Sequence, residues 1–155
     1  MKFQWKALVA SLAISLGTGF LSSLLTPNAR ETYAQLYQPP LAPPGWVFPV
    51  VWTVLFLLMG LSAFLIWTSD APDKKGALKL YLVQLFFNLG WSVIFFRFGA
   101  YLPAFLWLII LWFLVFMVVK RFGDIDELAG KLMVPYLVWL TFAAYLNLSI
   151  ALYYL

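Results

Sequence analysis

Apolar residues run in long blocks along this chain, and the charged residues gather in short clusters between them. Five blocks stand out, at about 7–26, 47–68, 80–96, 101–119 and 132–155, and none contains Asp, Glu, Lys or Arg. Crossing a hydrocarbon core of about 30 Å takes roughly 20 helical residues. Continuous runs of this kind are not the alternating ten-residue strands of a membrane barrel. The pattern predicts an all-α integral membrane protein, a five-transmembrane-helix bundle forming one domain over residues 1–155. No soluble domain is expected before or after the bundle.

The segment joining the first two blocks breaks the pattern. Five of the nine prolines (Pro39, Pro40, Pro43, Pro44 and Pro49) fall close together there, interleaved with Tyr33, Tyr37, Trp46, Phe48 and Trp52. Proline fixes φ and removes a backbone donor, so such a stretch is stiff and non-helical. Residues 27–46 are expected to form a lid loop at the mouth of the bundle, over a pocket for a flat, apolar ligand.

Composition confirms the solvent: 65% of residues are apolar and 10% charged, against roughly 25% charged in soluble domains. Charge also orients the chain. Lys2 and Lys6, then Lys74, Lys75 and Lys79, then Lys120, Arg121 and Lys131 fall on one side, leaving Arg30 and Arg97 on the other. Positive residues stay cytoplasmic, so the N-terminus is expected inside, with the lid and C-terminus on the opposite face. A bacterial host would place the protein in its inner membrane. The net charge of +4 is thus a topology signal, and no nucleic-acid partner is expected. Lys2 and Lys6 before an apolar run resemble a secretory leader, but the run reaches Leu25 without a clean cleavage box, and a retained helix is expected.

With no Cys and no His, thiolate and imidazole chemistry and the usual haem ligands are excluded. The six acids (Glu31, Asp70, Asp73, Asp124, Asp126 and Glu127) all fall outside the blocks, so no metal site is expected. Ion-coupled carriers keep an ionisable group inside the membrane, and this chain offers none. What the apolar blocks do hold is amides and aromatics. Gln84 and Asn88 share one helix face, with Trp91 and Ser92 nearby. Trp139, Phe142, Ala143, Leu146 and Asn147 form a second helical stripe. Either set could serve interhelical packing or line a pocket. Ala7, Ser11, Ser15, Gly19 and Ser23 recur every fourth residue, with Ala13 and Gly17 as a second small pair, a spacing suited to close helix contact inside the bundle or between subunits.

In combination these elements resemble the TspO/MBR family, the translocator-protein group. The resemblance rests on Tyr33, Pro39, Pro43-Pro44-Gly45-Trp46-Val47-Phe48 and Trp52; on Gln84, Asn88 and Trp91-Ser92; and on Pro135-Tyr136, Trp139, Phe142-Ala143 and Leu146-Asn147. It implies a five-helix bundle that binds tetrapyrroles such as protoporphyrin, with the first loop as lid and a homodimer as the common assembly. By that resemblance Trp52 and Trp139 are paired pocket tryptophans and Tyr33 the lid tyrosine. Gln84 and Asn88 are the polar pocket positions, and Ala143 and Leu146 the apolar wall. Trp46, Phe48, Trp91, Phe142 and Asn147 complete the candidate ligand-binding set.

The function expected is a receptor or binding protein for porphyrin-type ligands in the lipid bilayer, regulating tetrapyrrole traffic or stress responses, with porphyrin as ligand and no cofactor required. Two alternatives stand beside it. One is a light- and oxygen-dependent porphyrin-degrading enzyme using Trp52 and Trp139; the other is a passive transporter of porphyrin- or sterol-like molecules. Thr32 stands where the family usually has a tryptophan implicated in porphyrin breakdown, and Gln38 replaces a common basic residue. The stretch Tyr153-Tyr154-Leu155 lacks the basic residue of the animal sterol motif. Arg30 can pair with a propionate or simply sit as an interfacial charge beside Glu31.

Overall fold

The structure, a computed structural model, describes residues 4–155; Lys2 lies outside them. It contains five helices long and apolar enough to cross a membrane: α1 (Trp5–Leu25), α3 (Val47–Trp67), α4 (Lys74–Ser92), α5 (Tyr101–Ile125) and α6 (Glu127–Tyr153). A short helix, α2 (Ala29–Gln35), lies in the connection after α1, and α4 ends in a wide π-helical turn over Val93–Arg97. The expected five-helix membrane bundle is the fold observed.

The helices outrun the apolar blocks. The third begins at Lys74 and the fourth continues through Lys120, Arg121 and Asp124, while the fifth starts at Glu127. Once a backbone hydrogen-bond ladder is running, charged side chains at the membrane edge extend it into water at little cost. Prolines mark the starts: Pro49 and Pro103 sit in the first turns of α3 and α5, where the missing N–H has no intrahelical acceptor. The turn between α5 and α6 is one extended residue, Asp126, whose carboxylate accepts from the Ala129 N–H at 3.1 Å as an N-cap.

Around the bundle the order is α1, α3, α6, α5, α4 and back to α1. Contacts are close where side chains are small. A Cβ on Gly130 would stand 2.7 Å from the Gly123 Cα, so α5 and α6 cross backbone to backbone. The regular stripe on α1 faces inward at its middle, where Ser11 and Ser15 are buried and Ser11 donates to the Gly60 carbonyl at 2.7 Å, but its last member, Ser23, is exposed; beside it Ser22 meets Ser92 hydroxyl to hydroxyl at 2.7 Å. Ala13 and Gly17 instead face outward.

The centre is a core of Met59, Ile66, Leu108, Leu111, Val115, Phe122, Met133, Tyr136 and Leu140, all fully buried. Phe20, Phe86, Leu106, Phe113 and Val138 point outward, an apolar exterior that only hydrocarbon accommodates without cost. The protein is an integral membrane protein. Lys6, Lys74, Lys75, Lys79, Lys120, Arg121 and Lys131 collect at one end of the bundle, and Arg30, Arg97 and the lid at the other.

Candidate ligand-binding site

The lid is more structured than a proline loop. Tyr33 sits on α2, is buried, and donates from its hydroxyl to the Pro43 carbonyl at 2.7 Å. Burial pushes this phenol above its ordinary range, so it keeps its proton, and that bond, at neutral pH. Gln38 donates from Nε2 to the carbonyls of Tyr33 (2.9 Å) and Leu36 (3.1 Å), adding to the Leu36 N–H bond that already closes the end of α2 on Tyr33. Gln38 thus holds the lid's own backbone.

From the lid a row of rings descends onto α6. Tyr33 stands edge-on to Phe48 at 4.7 Å between centroids, and Phe48 stands edge-on to Trp139 at 5.8 Å. Trp139 in turn contacts Phe142 at 5.5 Å. Such edge-to-face geometry aligns a positive ring edge with a negative face. The Trp139 Nε1–H is buried and has no hydrogen-bond partner, an uncommon state for a buried indole. Trp52 does not stack on Trp139; it contacts Phe56 at 5.6 Å and Tyr136 at 6.1 Å. The two tryptophans therefore belong to separate ring contacts, Trp52 with Phe56 and Tyr136, Trp139 with Phe48 and Phe142.

Tyr136 is the residue that sequence reading passed over. Its hydroxyl accepts from Asn88 Nδ2 and donates to Gln84 Oε1, both at 2.8 Å, while Gln84 Nε2 points to the Met59 sulfur at 3.9 Å. Gln84 and Asn88 thus do share one face and are buried, and both engage α6. The available signal was periodicity, since Tyr136 precedes Trp139 by three residues and Ala143 by seven, on the same side of α6.

The remaining candidates divide. Ala143 and Leu146 are buried in α6, Ala143 within the main core. Trp91 donates from Nε1 to Asn147 Oδ1 at 2.9 Å, and Asn147 donates to the Tyr101 carbonyl at 2.9 Å, so this pair ties α4 to α6 and α5. Trp46 caps the start of α3 with 57% of its surface exposed, away from the ring row. Arg30 lies alongside Gly45 and close to Tyr33 on the lid. A separate open recess of about 460 Å³ lies behind α2, lined among others by Thr32, Gln35, Tyr101 and Tyr154. None of the predicted ligand residues borders it. We therefore place the candidate site at Tyr33, Phe48, Trp52, Trp139 and the Gln84–Tyr136–Asn88 network.

Residues 10–153 match the sequence pattern of the TspO/MBR family. The chain belongs to this family. Among TspO/MBR relatives, the tryptophan-rich protein TspO of Chlorobaculum tepidum is 35% identical over 153 residues, covering 97% of each chain. The tryptophan-rich sensory protein of Cereibacter sphaeroides is 35% identical, over 95% of this chain and 90% of its own. The translocator protein of Ovis aries is 31% identical, over 92% and 87% respectively. The stretch matched by the family pattern spans the lid, the ring row and the amide network.

Proposed function

We propose that this TspO/MBR protein is a membrane receptor that binds a flat, hydrophobic, porphyrin-type ligand between the lid and α6. The observation that carries this reading is the Trp139 indole: it lies in a row of aromatic rings with its N–H buried and unpaired. A buried donor left without an acceptor costs free energy, and a ligand bearing an acceptor removes that cost. Aromatic faces suit a planar macrocycle, and a few polar groups in an apolar pocket set its orientation. No carboxylate, ammonium or guanidinium takes part in this network of two amides and a phenol, which favours binding over acid–base catalysis. With no His or Cys in the chain, a metal in the macrocycle would find none of the usual axial ligands, and metal-free porphyrin is the preferred form.

The ligand enters when the lid swings away, since Phe48 rests on Trp139 in the closed arrangement. The basic end of the bundle faces the cytoplasm and the lid the opposite side, in keeping with the retention of positive charge inside. The family's homodimer is part of the same reading; the outward face of α1, where nothing approaches Gly17, would allow close contact between copies.

The test is a tryptophan-fluorescence titration with protoporphyrin, haem and a sterol in parallel. Saturable quenching is expected with protoporphyrin, weakened in Trp52→Ala and Trp139→Ala. Flat responses to every porphyrin would remove the reading.

A further inference from the structure

The lid is held shut from outside the ring row. Tyr37 stacks flat on Tyr153, with centroids 4.2 Å apart and planes within 2°. The Tyr37 backbone N–H donates to the Tyr154 hydroxyl at 2.9 Å. Three residues on, the Pro40 carbonyl accepts from the Tyr145 hydroxyl at 2.7 Å. Three tyrosines from the lid end of α6 thus grip one short stretch of the lid, residues 37–40. The three lid bonds made by Tyr33 and Gln38, by contrast, stay within the lid itself, so it is braced as a unit.

We propose that Tyr145, Tyr153 and Tyr154 form a latch that sets how fast the lid opens, and hence how fast ligand enters and leaves the site beneath it. The ligand half of this statement rests on the binding reading above; the latch itself does not. Two observations mark the contacts as a latch and not a permanent seam. All three tyrosines are substantially exposed, at 39%, 61% and 46%, so their contacts sit on the rim of the bundle and outside its packed core. The stretch they grip is also strained. The turn closed by the Ala42 N–H on the Pro39 carbonyl puts Leu41 at φ 71°, in the left-handed region, a conformation unfavourable for a leucine. Such outliers persist where the surroundings hold them, and the Tyr145 bond lands on the residue immediately before it.

A latch present in both the empty and the loaded protein has a kinetic signature. Releasing it destabilises the closed lid equally in both, so association and dissociation accelerate together while affinity stays nearly constant. A residue that touches ligand changes affinity instead.

The full-length protein in lipid nanodiscs serves for both tests. In ligand-free protein, amide hydrogen exchange over residues 36–42 is expected to rise about fivefold or more in the double variant Tyr145→Phe with Tyr154→Phe, the scale of one ordinary net hydrogen bond. Tyr153→Phe keeps the stacking ring and should match wild type. Unchanged exchange in the double variant overturns the latch. In stopped-flow quenching with protoporphyrin, the double variant should raise both rate constants by a similar factor and leave Kd within about twofold. A changed Kd with an unchanged association rate overturns the latch in favour of direct ligand contact. Failure of protoporphyrin to bind wild type removes the binding reading alone, because the exchange experiment decides the latch without ligand.

Discussion

Asn88 reaches across the bundle from α4 to the Tyr136 hydroxyl on α6 at 2.8 Å, and that hydroxyl donates in turn to Gln84 Oε1 at 2.8 Å. One phenol thereby satisfies two buried amides on neighbouring turns of α4. Tyr136→Phe keeps the ring but strands both amides. Leaving buried polar groups unsatisfied costs about 1–3 kcal/mol, and interhelical bonds in membranes fall toward the low end of that range. A loss of about 1–2 kcal/mol is expected, read as a lowered thermal midpoint in detergent; an unchanged midpoint would show that the amides find other partners.

Trp139→Phe separates the indole N–H from the ring. The row from Phe48 to Phe142 is kept and only the donor is lost, so protoporphyrin affinity should fall about fivefold to tenfold, the worth of one hydrogen bond. Trp139→Ala should lose more, because a stacking surface goes with it. Equal affinities for wild type and Trp139→Phe in a fluorescence titration would leave the unpaired N–H without a role in binding.

The crossing of α5 and α6 should tolerate no side chain at Gly130. A Cβ there meets the Gly123 Cα at 2.7 Å and its backbone nitrogen at 2.9 Å, and backbone atoms cannot rotate aside. Gly130→Ala is expected to destabilise by about 1–3 kcal/mol, as overpacking of a tight interior does.

Topology can be read chemically because the chain has no cysteine. Leu41→Cys should react with an impermeant maleimide on intact cells, whereas Asp70→Cys should react only after permeabilisation, as the distribution of basic residues requires. The opposite pattern would invert the orientation.

Much of the fold was legible because the bilayer imposes a simple rule. Backbone groups without water must pair within a helix, and charge is excluded, so blocks such as 47–68 could be read directly as spans. Helix ends were less legible: at Lys74, Asp124 and Glu127 the ladder continues where hydropathy has already fallen. The lid helix α2 escaped notice for the opposite reason, being only seven residues long and followed by the proline-rich stretch. In the site, the aromatic and amide types were visible, but their pairing was not. Trp46, which the family resemblance grouped with the ligand-binding set, lies at the surface, and nothing in the sequence marked Tyr153 and Tyr154 as residues that grip the lid.

By itself the sequence determined the solvent, the number of spans, the family and the absence of histidine and cysteine, because each depends on residue type and local order along the chain. Only the tertiary structure decided that Tyr136 joins Gln84 to Asn88, that Phe48 and not Trp52 meets Trp139, and that residues 37–40 are tied to the end of α6. These are contacts between residues up to 117 positions apart. Their geometry follows from how five helices rotate and pack against one another, and no periodicity within a single helix specifies which face meets which neighbour.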